Sequence, residues 1–135
     1  MLSAVTALRE LLAHATATEV NVVSRPTDET SGDAMQLWPW RMDAEPMRMT
    51  RPGDCGSHPP VKLSCMVFAG DLDVLELARV AVFSQPSVMR GSKNFSITFE
   101  PLDTSDLLSL FIAAKIPPRP CLSYVLREER SVAAS

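Results

Sequence analysis

Residues 61–69 read VKLSCMVFA, and this stretch decides the architecture. Val61, Leu63, Cys65 and Val67 alternate toward one face, while Lys62 and Ser64 begin the other. Further along, Met66 and Phe68 make that second face apolar as well. A strand of this kind lies inside a sheet and is covered on both sides. Gly70 breaks the strand, and Asp71 stands where its carboxylate can cap a helix over residues 72–84, LDVLELARVAVFS. Asp73 and Glu76 fall in the first two turns, where negative charge suits the helix dipole. Pro86 ends the helix.

Downstream, residues 87–93 read as a polar connection holding Gly91. Residues 94–100, NFSITFE, form the next strand, with Phe95, Ile97 and Phe99 on one face. Pro101 terminates it. Asp103 or Thr104 caps a short helix over 105–114. Three prolines, Pro117, Pro118 and Pro120, then stand before a last strand over 121–127. Upstream, Val5, Leu8, Leu11 and Leu12 give a helix over 3–15 with one apolar stripe and Ser3 at its N-cap. Arg9 and Glu10 interrupt its apolar run, which marks an amphipathic helix and not a secretory leader. Residues 18–24, TEVNVVS, are a short strand, 25–33 a polar loop, and 34–42, AMQLWPWRM, a second strand. Pro39 lacks an amide donor, which puts that strand at an edge or bulges it. Residues 43–60 form a long irregular segment, and 131–135 a frayed end.

The order α-β-β-β-α-β-α-β implies an α+β two-layer sandwich in one domain, residues 1–135. Its sheet is mixed and mostly antiparallel, of about four to five strands, with two to three helices. At 135 residues the chain is long enough for a self-supporting core, since such a chain buries roughly two thirds of its unfolded surface. The net charge of −3 gives no electrostatic case for nucleic acid or an anionic membrane as partner. No apolar run approaches the roughly 20 residues that span a bilayer. Three cysteines without a framework pattern point to a reducing cytoplasm.

Candidates for chemistry are few. Cys55 and His58 have C-x-x-H spacing and Cys65 follows, but zinc needs four ligands or three plus water, and only His14 and Cys121 remain to add. The plainer reading makes Cys65 and Cys121 small buried strand residues and Cys55 a loop thiol. A Cys-His nucleophile pair lacks an orienting group, and neither G-x-S-x-G nor a glycine-rich phosphate loop is present. Glu100, Asp103 and Asp106 serve helix capping better than acid-base work. No catalytic residue, metal or cofactor is therefore assigned, and the chain reads as a non-enzyme.

The features that remain concern contact. Trp38 and Trp40 flank Pro39 and are either interface anchors or core. Met42, Met47 and Met49 make either an adaptable surface or a loosely ordered loop. The segment PPRP is extended and stiff. It is either a simple crossover or a device that presents the final strand for pairing outside the subunit.

Four stretches resemble one family, the small tail-terminator or cap domain of contractile injection systems. They are MQLWPWRM after a polar loop, PPVKLSCMVFA after an insertion, LDVLELARVAVFSQPSV, and FSITFEPLDTSDLLSLFIAAKIPPRPCLSYVLRE. In the last, Pro101, Leu102, Leu107, Pro117, Pro118, Pro120, Ser123, Tyr124 and Val125 follow the family's order of strand, short helix, proline turn and strand. The chain departs from the pattern at LSCMVF, where the family carries an aromatic L-x-Y-like sequence. The resemblance spans most of residues 1–130. It implies a structural protein that forms a ring, commonly of six copies, at the distal end of an inner tube and sheath. Its partners would be further copies, sheath and tube, with no nucleic acid and no membrane. It would be cytoplasmic and assembled on a phage-tail-like particle. Trp38, Trp40, Arg119 and Tyr124 are the expected subunit or sheath contacts. A connector elsewhere in a phage-like tail, or a small ligand-binding α+β domain, are the competing expectations.

Overall fold

The structure, a computed structural model, describes residues 2–27, 34–44 and 61–129. In chain order its elements are α1 (Leu2–Thr16), β1 (Val20–Val22), β2 (Met35–Ala44), β3 (Val61–Phe68), α2 (Leu72–Ser84), β4 (Ser87–Arg90), β5 (Lys93–Phe99), α3 (Thr104–Ala114) and β6 (Cys121–Glu129). The strands form one sheet in the order β1-β2-β3-β6-β5-β4. The β1–β2 pair is parallel and the other four are antiparallel. The α+β class and the mixed, mostly antiparallel sheet agree with the sequence reading.

Alternation along β3 sorts the helices. Leu63, Cys65 and Val67 join the main core with Leu8 and Leu12 of α1 and Leu75, Ala78 and Val82 of α2. Met35, Leu37, Phe95, Ile97, Leu122 and Leu126 complete that core from the same face of the sheet. Met66 and Phe68 point the other way and gather Phe111, Ala114 and Ile116 of α3 and its exit. Two helices thus cover one face and one helix covers part of the other. This is the cover on both sides that the doubly apolar end of β3 requires.

The helix ends follow their local chemistry. Asp71 accepts a hydrogen bond from the Asp73 amide at 2.8 Å, and Asp103 accepts one from the Asp106 amide at 2.7 Å. Each cap satisfies an amide that has no partner within its helix. Asp103→Ala should cost about 1 kcal/mol, and a urea titration against the parent chain measures it. At the other end of α3, Lys115 adopts φ +59° and its amide reaches Ile112 and Phe111 carbonyls. This left-handed turn closes the helix without a glycine.

The sequence reading needs one main correction. Residues 87–93, read as a polar connection, hold β4 and a two-residue turn into β5. An edge strand of four residues needs little inward apolar surface, and Val88, set opposite Phe95, supplies it. Gly91, at φ +62°, occupies the first turn position, where a type II′ hairpin takes glycine. Two smaller differences accompany it. The strand expected over 18–24 is only Val20–Val22, and Phe99 is exposed although Phe95 and Ile97 are buried. β2 also runs on through Asp43 and Ala44, which pair with Lys62 and Val61. Residues 45–60, Met47 and Met49 among them, and the 131–135 terminus lie outside the described residues.

Candidate functional site

The face of the sheet under α3 brings three of the four expected contact residues together. Trp38 and Trp40 of β2 are both half-buried against the cluster of Met66, Phe68, Phe111, Ala114 and Ile116. They share this face because residues two apart on a strand point the same way, and a bulge follows directly. Pro39 pairs with Cys65 and Arg41 with Ser64, so Trp40 is the extra residue between them. Proline explains the site of the bulge, since it has no amide to give to a ladder. Among the described residues β1 accompanies β2 only as far as Leu37, where the Val23 amide donates to the Leu37 carbonyl at 2.9 Å. Beyond Leu37 the outer edge of β2 therefore has no strand partner among the described residues. Pro39 is both bulged and at an edge. The Trp40 indole N–H is buried and finds no acceptor among the described residues.

The proline joint sets Arg119 over this same cluster. Its guanidinium lies 4.5 Å from the centre of the Phe68 ring, and Nη2 donates to Gln36 Oε1 at 3.3 Å. Phe68 in turn meets Phe111 edge-on at 6.0 Å between centroids. Arg25 donates to the Ala114 carbonyl at 3.2 Å and ties the last turn of α3 to the segment after β1. The stiffness of PPRP thus has a local use. It turns the chain from the end of α3 into β6, a central strand, while holding Arg119 flat on an aromatic ring. β6 pairs with β3 on one side and β5 on the other, so both of its edges are taken within the chain. Of the two readings of the joint, the crossover describes it, and external strand pairing does not, for that strand.

Tyr124 stands apart from the other three. It lies on the opposite face, 2% exposed, within the main core, and packs edge-on to Phe99 at 6.5 Å. Its hydroxyl has no hydrogen-bond partner among the described residues, and burial pushes its pKa up to about 12, opposed in part by Arg79. Replacing it with alanine would open the core.

Chemical candidates do not converge. Cys65 is fully buried in the main core, and burial, with Glu100 adding to it, pushes its thiol up to about 12. Cys121 packs against the α3 cluster on the other face, and burial raises its thiol too, against the lowering effect of Arg119. Both are protonated at neutral pH and poor nucleophiles. His14 is exposed at the end of α1. Asp103 and Asp106 form the α3 cap, and the Glu100 amide donates to the Ser123 carbonyl at 2.9 Å. No group of three or more His, Cys, Asp or Glu able to hold a metal occurs among the described residues, while Cys55 and His58 lie outside them.

The sequence reading missed one surface. Leu72, Leu77, Val80 and Phe83, on the side of α2 away from the core, are all exposed, Phe83 by 82%. Nine of the thirteen residues in LDVLELARVAVFS are apolar, more than one buried stripe uses.

No known family model matches the chain, and no curated protein matches it. Two solved structures share its architecture. The sheath/tube terminator of PVC, an extracellular contractile injection system, in the extended state, superposes with a TM-score of 0.70 at 9% sequence identity, over 97% of this chain and 57% of that one. The tube-terminating cap of the anti-feeding prophage gives a TM-score of 0.62 at 12% identity, over 93% of this chain and 54% of that one. The chain spans a little over half the length of each. What the sequence order suggested, the backbone bears out at the level of fold: this chain is folded like the terminators that cap the tubes of contractile injection systems.

Proposed function

We propose that this protein is a structural cap of a contractile injection system, assembling as a ring, six copies in the family's usual number, on the end of the inner tube and sheath. The observation that carries the reading is the superposition of nearly the whole chain on two such terminators. The sheet adds support, because it leaves strand edges available toward both of its sides. Among the described residues β4 has one strand neighbour, and so has β2 beyond Leu37. Edges of this kind accept a strand from a neighbouring molecule. Head-to-tail contacts close into a ring when the rotation allows it. A cap with binding surface toward tube and sheath and none beyond would halt further stacking.

Trp38 and Trp40 sit where β2 has no outer strand neighbour among the described residues, and their half-buried rings offer apolar surface to a neighbouring molecule. Trp40→Ala is expected to leave the circular dichroism spectrum unchanged and to weaken self-association at least tenfold by light scattering. Unchanged association would remove Trp40 from the contact. Arg119, engaged with Phe68 and Gln36, contributes by holding this face in shape. The experiment for the proposal itself is tube polymerisation. With the protein added, tubes should stop at shorter and more uniform lengths. An identical length distribution with and without it would exclude the reading.

A further inference from the structure

The two helix faces that the sheet leaves uncovered have a form that fits one to the other. On α2 the outer side carries Leu72, Leu77, Val80 and Phe83, exposed by 65, 51, 44 and 82%. On α3 it carries Leu108 and Ile112, exposed by 43 and 77%, among the exposed and uncharged Thr104, Ser105, Ser109 and Ala113. Nine of the thirteen residues of α2 are apolar, more than one covered stripe uses, and the Glu76–Arg79 ion pair lies among the exposed ones. On α3 this depletion of charge marks the centre of an interface, and on α2 the exposed Glu76 and Arg79 neutralise each other. The two helices lie on opposite faces of the sheet, so neither can cover the other within one chain.

We infer that the outer face of α2 in one copy packs antiparallel on the outer face of α3 in the next. The inference rests on the cap reading and names the contact that would build its ring. Length, charge and area all favour a second copy as occupant. α2 has 13 residues and α3 has 11, so the exposed stretches match over about three turns. In the antiparallel sense the acidic start of α2, with exposed Asp73, meets the end of α3, where Lys115 is exposed. Phe83 then falls near Leu108 and the small residues of the first turns of α3, and Leu72 near Ile112. Two such faces bury on the order of 1,000 Å² in total, the lower bound for a specific interface. Pairing α2 with α2 would bury one apolar face and leave α3 bare. The head-to-tail contact covers both faces in every copy, and repetition of one such contact is what makes a ring.

Two variants test it, Phe83→Glu and Ile112→Arg. Both positions are exposed, so each variant should keep the parent's circular dichroism and melting temperature. Each alone should run at monomer mass by size exclusion with light scattering, at concentrations where the parent chain is assembled. Mixed one to one, they should give a dimer and nothing larger, because each retains the face the other has lost. Assembly of Ile112→Arg like the parent would show α2 meeting α2, or another surface altogether, and would overturn the inference. So would a mixture that stays monomeric. If both variants assemble like the parent, the contact is wrong and the cap reading survives. If the parent is itself monomeric at every concentration and does not bind tube ends, both fall.

Discussion

Phe68→Ala is expected to lower the unfolding free energy by about 3–5 kcal/mol, among the largest effects of any single truncation in this chain. Phe68 is 1% exposed at the end of β3, so its removal leaves a cavity and not a surface. Three partners lose contact together. Phe111 loses its edge-on neighbour at 6.0 Å, the Arg119 guanidinium loses the ring 4.5 Å beneath it, and the α3 cluster loses one of its two buried phenylalanines. Phe68→Leu keeps most of the volume and should cost less than about 1.5–2 kcal/mol. Guanidinium titrations of the three chains measure both values. A loss below about 1 kcal/mol for the alanine variant would show that α3 and the proline joint are not held by this ring.

Alkaline pH should destabilise the fold steeply. Cys65 rises from 9.0 to about 12, through burial first and Glu100 second. Tyr124, its partner in the β3–β6 register, rises from 10.0 to about 12, again through burial. In both groups the fold favours the neutral acid. Below pH 9 folded and unfolded chains are alike protonated here, and stability is complete. Above it the unfolded chain releases protons that the folded chain holds, and stability falls until the folded groups ionise near pH 12. Within its own window each ionisation can lower stability by up to about 1.4 kcal/mol per pH unit. Cys65→Val removes one acid while keeping a similar apolar volume. Its urea midpoint should fall less between pH 8 and pH 11 than the parent's. Equal slopes would mean that Cys65 is ionised in the fold or reached by water.

Much of this architecture is legible in local sequence. The alternation in VKLSCMVFA gives the inner strand and its double cover. Asp71 and Asp103 mark helix starts because a short carboxylate before an apolar run has few better uses than an orphan amide. Pro39 announces the β2 bulge because proline cannot serve a ladder. What stays hidden depends on long-range pairing. β4 carries one buried side chain, Val88, and reads as a loop until β5 is set beside it. Tyr124 and Trp38 look alike as exposed-or-core aromatics, and only the sheet face to which each belongs separates a core residue from a rim residue. Arg119 reads as a surface cation, and its place on Phe68 follows from a turn whose direction three prolines fix but do not spell out. The outer face of α2 was open to reading. Its helix is too apolar for one stripe, and that excess is the signal for a second covered side.

Electron microscopy of particles carrying the protein with a small label decides whether the proposed cap role is right. A cap places label at one end of every tube, in ring-shaped density, and leaves tubes of uncontrolled length when it is missing. Label along the tube wall, at the baseplate end, or on no particle at all would contradict it.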